Sequence, residues 1–473
     1  MNKEIRTQVV IIGSGPAGYT AAFRCADLGF DTILIEKYSV LGGVCLNVGC
    51  IPSKALLHIS QVMYDVKNLS MSGINFSEPV IDINKIRTWK NNIIQDLNNS
   101  LFSMSKYRKI TVLIGEGVFN TEHSIVVSCD DGITTVHFDH AVIATGSIPI
   151  GLPGIAVDHK KIWNSTDALN LLHVPSRLLI IGSGIIGLEM ATFYSSLGSH
   201  IDIVDNSKLL LPTLDRDIIE VFKNHTINQY NIIMDRMVTK VETINDEFLV
   251  TLQDSSGDKY TMIYDNILIA IGRKPAVDGL GLSDIGIELR SSGFINVNNQ
   301  LKTNIDHIYA IGDVVGYPML AHKAIYQASV VSEVIAGKKD CFNPRVIPSI
   351  AYTIPEIAWV GLSEQEAISL DIDYGCSSYP WKASGKALAS NHFNGITKLL
   401  FNKKTNRIIG GSIVGVHAGE LLGEIGLAIE MGCDVEDISL TIHAHPTLYE
   451  TIGGAAKMFQ GTITDLPNKI KNK

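Results

Sequence analysis

One six-residue pattern occurs twice in this chain, and its repetition constrains the fold more than any other feature. Gln8–Ile12 reads as a short buried strand, Gly13-Ser14-Gly15-Pro16-Ala17-Gly18 follows it, and YTAAFRCADLG then has the pattern of a helix. The next strand, Thr32–Ile35, ends at Glu36. Leu178–Ile181, Gly182-Ser183-Gly184-Ile185-Ile186-Gly187, LEMATFYSSLG and Ile201–Val204 repeat the series and end at Asp205. From first glycine to acid the spacing is 23 positions in both copies. A GxGxxG alone is weak evidence, but here strand, helix and acid surround it. The glycines let the backbone approach a pyrophosphate at the helix N-terminus, and the acid takes ribose hydroxyls. Two copies of one geometry imply two dinucleotide sites. Asn206, Ser207 and Lys208 follow Asp205, with no close arginine. That favours a free ribose 2′-hydroxyl, hence NAD over NADP, at the second site.

Between the copies lies GGVCLNVGCIPSK, Gly42–Lys54. Seven cysteines in 473 residues are too few for a disulfide scaffold. Cys25, Cys129, Cys341, Cys376 and Cys433 stand singly and read as small buried hydrophobes. Cys45 and Cys50 are a close pair, which points to catalysis or metal. Zinc would need a second ligand pair; none exists, and His58 is the nearest histidine. The pair is read as a redox-active disulfide, with no metal. An unbroken helix would separate residues five apart by about 7.5 Å in rise alone, beyond the usual disulfide range. Either the helix is distorted between them, or it starts later with Pro52 near its first position. Both alternatives put the pair at a helix N-terminus, where the dipole and free N–H groups stabilise a thiolate.

A chain of this length exceeds one core and divides into four units: 1–150, 151–277, 278–347 and 348–473. Pro149, Gly151, Pro153 and Gly154 mark the first boundary. AVIATGS at 141–147 and NILIAIG at 266–272 are matching strands that close the first two units. Residues 80–105 predict a helix with Ile86, Trp89, Ile93, Ile94 and Leu97 as a core-facing stripe. In the third unit Thr303–Asp313 reads as a strand and 320–336 as a helix. The fourth has alternation over Ile347–Gly361, a hairpin around Lys403–Asn406 and an amphipathic helix Ala418–Met431. The expected class is α/β: two Rossmann-like dinucleotide-binding domains plus a C-terminal α+β domain. A net charge of −9 with no long basic run argues against a nucleic-acid partner; Lys469–Lys473 reads as a short solvated tail. No stretch approaches 18 apolar residues and the N-terminus lacks a signal-peptide layout, so a cytoplasmic protein without a membrane span is expected.

Two acids and a histidine pair need an account. Glu189 lies in an otherwise apolar helix segment, LEMATF, and predicts a cationic partner. Asp313, at a strand end before a helix, suits either a polar ligand contact or a helix cap. In HAHPTLYE, Pro446 fits the first position of a helix, which leaves His445 at its exposed cap and Glu450 on its first turns. A thiol–disulfide centre needs a base, and a histidine held by a carboxylate supplies one. His443 is the rival; Glu450 favours His445.

The series GSGPAG, GGVCLNVGCIPSK, GSGIIGLE, YAIGD, HAHPTLYE resembles the flavin-dependent pyridine nucleotide-disulfide oxidoreductases over essentially the whole chain. Within them it is similar to the branch that oxidises dihydrolipoamide for 2-oxo acid dehydrogenase complexes. The resemblance implies FAD on Gly13, Gly15, Gly18 and Glu36, with Gly117 near the adenine, Asp313 on the ribityl chain, and Ala321 and Lys54 beside the flavin. Lys54 would pair with Glu189. NAD would lie on Gly182, Gly184, Ile185, Gly187, Asp205, Val238, Ala270 and Gly272. The four units would then be the FAD-binding domain with the disulfide, the NAD-binding domain, a central domain completing the FAD site, and the interface domain of a homodimer. His445, oriented by Glu450, would serve the partner subunit's disulfide. Substrate would attack Cys45, and Cys50 would pass two electrons to the flavin. Lipoyl groups would come from separate acyltransferase subunits, and Tyr449 has no role in this scheme. A glutathione-type reductase is the nearest rival, but it wants NADP, which Asp205 disfavours. A non-catalytic flavoprotein subunit would be expected to lack one of Cys45, Cys50 or His445.

Overall fold

In the computed structural model residues 3–467 are described; the expected tail Lys469–Lys473 lies outside them. The first sheet has seven strands. Lys3–Ile12 is longer than its apolar run, because its polar first half pairs in parallel with Gly132–Ile143, from Lys3↔Thr134 to Ile12↔Ile143. On its other edge Val9–Ile12 pairs with Thr32–Ile35, which carries Thr111–Ile114 outside it. Val9, Val10 and Ile11 are fully buried, each stabilising the sheet by about 1.5–3 kcal/mol. Ser124–Cys129 and Glu116–Thr121 extend the sheet as an antiparallel meander. The strand of the third unit, Ile308–Ala310, pairs with Ala141–Ile143, so this part of the chain returns to the first sheet. Its helix Ala321–Ile335 packs on the first fingerprint helix Pro16–Asp27, where Cys25 Sγ donates to Ser332 Oγ and Arg24 pairs with Glu333.

The second sheet is parallel throughout, in the order 231–233, 200–204, 177–181, 266–269, 162–163. A three-stranded meander, Arg236–Ile244, Glu247–Asp254 and Lys259–Tyr264, packs against one face of it, over Leu179, Ile181, Ile267 and Ile269. One antiparallel ribbon, Ser147–Pro149 with Arg273–Pro275, carries the chain between the first two units. The fourth unit is a five-stranded antiparallel sheet, with Ile396–Asn402 and Ile408–Gly415 forming the expected hairpin and Ala418–Met431 packed against it. Lys398 joins this unit to the second. Its side chain is 1% exposed, and Nζ meets Asp217 at 2.9 Å, Asp215 at 3.1 Å and the Glu364 carboxylate. Unpairing such a buried ion costs about 3–5 kcal/mol.

Two sequence expectations change here. The helix Ile83–Tyr107 buries the predicted stripe only in part: Ile86, Ile93 and Ile94 are half-buried, with Ile86 against the core, but Trp89 and Leu97 are about 40% exposed, and the fully buried positions are Lys90, Asn98 and Ser105. Polar groups can face inward because each finds a partner. Lys90 Nζ donates to Leu169 O at 2.9 Å, and the Asn98 amide brackets the backbone of Leu41. Cys341 and Cys376 are exposed rather than buried, since one lies in a loop and the other on Tyr374–Pro380, the edge strand of the fourth unit's sheet.

Candidate active site

The first fingerprint turns at Gly13, whose φ is +97° and whose hypothetical Cβ would lie 2.5 Å from Ala144 O. Gly18 packs so closely on Gly13 that a Cβ would overlap its carbonyl. Gly15 has room: the nearest atom to a Cβ is Gly43 Cα at 4.0 Å. The requirement for glycine at 15 therefore does not come from the protein itself; it fits a ligand that approaches the backbone at this helix N-terminus. Glu36 ends the second strand, and its Oε2 accepts from Ser14 N at 2.9 Å and Ser14 Oγ at 2.6 Å. Gly117 lies on Glu116–Thr121 against Ile35, one residue before Glu36.

The second fingerprint repeats this. Gly182 turns at φ +108° against Ala270 O, Gly187 packs on Gly182, and a Cβ at Gly184 would meet nothing within 4 Å. Asp205 Oδ2 accepts from Ser183 N at 2.7 Å and Ser183 Oγ at 2.8 Å. Ile185 opens the helix Ile185–Ser196, Ala270 donates its N–H to Ile181 O, and Gly272 adopts φ +128° just after the strand Asn266–Ile269. Val238 packs beneath the same strand ends from the meander. Both cradles therefore fit a dinucleotide.

Of the two alternatives for the cysteine segment, the distorted helix is realised. Gly43–Val48 is one helix, Gly49 breaks it at φ −144°, ψ −110°, and Cys50–Asn68 is the next. Cys45 lies within the first and Cys50 opens the second, with Pro52 in its first turn. Both cysteines are free thiols, and each is the largest influence on the other's titration. The Cys45 S–H, with Lys54 and the N–H of Cys50 itself, overcomes burial and brings the Cys50 thiol down to about 7. As the donor to Cys50, Cys45 is pushed up. The first proton lost belongs to the pair, and the lowered titration falls on the Cys50 side.

Lys54 reaches Glu189 of the second fingerprint helix, at 2.9 and 3.1 Å. Glu189 is 4% exposed; its remaining satisfaction comes from Tyr352 N at 3.1 Å, while the Tyr352 ring lies 4.3 Å from Lys54 Nζ. One ion pair therefore gathers residues of the first, second and fourth units. Asp313 sits in the short turn Gly312–Val315 and caps no helix; its Oδ2 accepts from Ser147 Oγ at 2.6 Å, and Ser147 in turn is held by Arg273 Nε at 2.7 Å. Ala321 opens the helix beyond it.

At the far end of the chain, His445 Nδ1 meets Glu450 Oε1 at 2.9 Å. Pro446 is not a first helical residue: the helix is Glu450–Gln460, and residues 443–449 form a turned loop before it. The reason lies in Glu450, whose Oε2 accepts the Thr447 N–H at 2.7 Å. Burial opposes it, but that N–H and His445 hold the Glu450 carboxyl below its usual range. His445 is 80% exposed, and no hydrogen bond or ion pair joins it to either cysteine of the same chain among the described residues.

The profile of the pyridine nucleotide-disulphide oxidoreductases matches residues 7–328, and that of their dimerisation domain matches 347–456. The chain belongs to this family. It is 57% identical over 473 residues, all of both chains, to a dihydrolipoyl dehydrogenase of Buchnera aphidicola from Acyrthosiphon pisum, and 54% identical over the full length to that of Vibrio cholerae. Among solved structures, the HOCl-induced flavoprotein disulfide reductase RclA of Escherichia coli superposes with a TM-score of 0.86 at 28% identity, over 97% of this chain and 99% of that one. The LpdA of Mycobacterium tuberculosis gives 0.88 at 25%, over 96% and 99%.

Several residues of this disulphide oxidoreductase site escaped the sequence reading. Tyr352, Ser147 and Arg273 lie far from their partners in the chain, and no local pattern announced them. Tyr449 was left without a role, yet its hydroxyl accepts the Ala444 N–H at 3.0 Å. His443, the rival base, has a carboxylate of its own: Glu424 Oε1, 2.8 Å from Nε2. No described helix is long and apolar enough to cross a membrane.

Proposed function

We propose that this protein oxidises dihydrolipoamide to lipoamide and reduces NAD to NADH, with FAD along the first fingerprint and NAD along the second. The observation that carries this reading is the cysteine pair across the helix break at Gly49, with Cys50 opening the second helix beside the Lys54–Glu189 ion pair. Its support includes relatives of matching length that share more than half their residues and are named dihydrolipoyl dehydrogenase.

In the oxidised enzyme Cys45 and Cys50 form a disulfide. His445 Nε2, left open by the Nδ1–Glu450 bond, takes the proton of the substrate's first thiol. The resulting thiolate attacks Cys45 Sγ, the Cys45–Cys50 bond breaks, and Cys50 leaves as the thiolate that its low pKa favours. The substrate's second thiol then displaces Cys45, which departs carrying that thiol's proton, and lipoamide is released. Two electrons have entered the pair, leaving Cys45 as thiol, Cys50 as thiolate and His445 protonated. Glu450 stabilises that imidazolium and fixes its tautomer. When bound, FAD supplies the two-electron acceptor and the hydride that NAD receives. Gly13, Gly15, Gly18, Glu36, Gly117, Asp313 and Ala321 hold the flavin dinucleotide; Gly182, Gly184, Ile185, Gly187, Asp205, Val238, Ala270 and Gly272 hold NAD. The Lys54–Glu189 pair keeps a fixed cation next to Cys50.

The matched dimerisation domain supports a homodimer. Leu427, Met431, Leu440 and Ile442 leave an exposed apolar face beside the His443–His445 loop, through which His445 reaches the partner's cysteines. Lipoyl groups come from acyltransferase subunits of 2-oxo acid dehydrogenase complexes in the cytoplasm. The test compares NAD reduction by dihydrolipoamide with NADPH-dependent reduction of glutathione disulfide. Fast turnover in the first and none in the second is expected; the reverse overturns the reading.

A further inference from the structure

The loop 441–449 carries two histidines, each against a carboxylate, and they are wired differently. His445 has an acceptor at Nδ1 only, and its Nε2 has no hydrogen-bond partner among the described residues. His443 has acceptors at both nitrogens: Thr441 O lies 3.0 Å from Nδ1 and Glu424 Oε1 2.8 Å from Nε2. A neutral imidazole has one N–H and satisfies one of these; only the imidazolium donates to both. The His443 side chain is 7% exposed, so an unmet partner would cost about 1–3 kcal/mol. The ring is also wedged in place. A Cβ on Gly453 would lie 2.9 Å from it, and the Tyr449 ring centroid is 5.3 Å away. Tyr449 OH closes the loop between the two histidines by accepting from Ala444 N.

We infer that His443 is a permanently protonated positioning residue: clamped between Glu424 and the Thr441 carbonyl, it fixes the loop so that His445 presents a free Nε2. This rests on the reading of His445 as the base. Glu424 on the helix Ala418–Met431 faces His443, as do Lys457 and Glu450 on Glu450–Gln460 and Tyr449 of its own loop. The Glu424 bond raises the His443 proton affinity against the opposing burial and Lys457.

The flavin-loaded dimer is compared with His443→Gln, His443→Lys and Glu424→Gln. His443→Gln should lower kcat with dihydrolipoamide on the order of ten- to a hundredfold through misplacement of the base. NADH oxidation by ferricyanide should be unchanged. His443→Lys should not return kcat, since an ammonium restores the charge without the two-sided N–H grip. Glu424→Gln should lower kcat as His443→Gln does. In protein labelled with carbon-13 at histidine Cε1, the resonance missing from His443→Gln should keep its imidazolium position above neutral pH. A neutral-imidazole position, or a His443→Gln enzyme with wild-type kcat, overturns the inference. His445→Gln separates the two claims. If it turns over dihydrolipoamide normally, the base assignment itself falls; if it is inactive while His443→Gln is normal, only the positioning role falls.

Discussion

At Gly13 a Cβ would strike Ala144 O at 2.5 Å, and at Gly182 it would strike Ala270 O at 2.4 Å. Glu36 and Asp205 each accept a serine N–H and hydroxyl. The two fingerprints are local copies, yet their surroundings differ. Over Gly15 lies Gly43, the first residue of the helix bearing Cys45, and Gly42 N donates to Ser14 O at 2.9 Å. Nothing stands over Gly184. Glu36 is buried, while Asp205 is half-exposed. The same twenty-odd residues thus build a roofed cradle in one place and an open one in the other. The first suits a resident cofactor held against the redox pair, the second a cofactor that comes and goes.

The largest expected effect breaks the roof. Gly43→Val places a Cβ 2.6 Å from Gly15 Cα at a residue whose φ is +57°. The purified protein should be colourless and inactive with dihydrolipoamide; full flavin absorbance after purification would remove the roof from the account. Gly184→Ala probes the open copy. The protein has space for the methyl group, so flavin content and melting temperature should hold. The KM for NAD should rise on the order of tenfold, or about 1.4 kcal/mol, and an unchanged KM would mean that NAD does not seat there. The smallest effect concerns Cys50, which opens the helix after Gly49 beside Lys54. Its pKa of about 7 lies below that of an ordinary thiol, so the thiolate exists above that pH and is lost below it. In the two-electron-reduced enzyme the thiolate-to-flavin charge-transfer band should fade as pH falls through about 7. Lys54→Met should move that midpoint upward and Cys50→Ser should remove the band; a band flat through neutral pH contradicts the assignment.

What was legible in the sequence was whatever short-range spacing encodes. Both fingerprints, the cysteine segment and the Glu450 partner of His445 depend on residues within one strand–turn–helix or one loop, so the chain spells them out. The break at Gly49 was half legible: five-residue spacing demanded some distortion without saying where. The preference of proline for the first helical position misplaced the helix start at Pro446, because the Thr447 N–H to Glu450 contact delays the helix to residue 450. The stripe on Ile83–Tyr107 misled because Lys90 and Asn98 find distant backbone partners that no helical periodicity records. Tyr352 at Glu189, Ser147 at Asp313 and Glu424 at His443 are likewise tertiary meetings. The fold class emerged because it follows from repeated local units; the wiring between units did not.

The pairing of Ile308–Ala310 with Ala141–Ile143 has a consequence for the order in which the molecule is made. The second unit in its entirety is translated before the last strand of the first sheet leaves the ribosome. A nascent chain that folds from its N-terminus must therefore hold an unfinished sheet edge open while the second cradle completes itself. Asp215 and Asp217 then wait longer still for Lys398. Birth order and assembly order therefore differ, and the first site to be encoded is not the first to close.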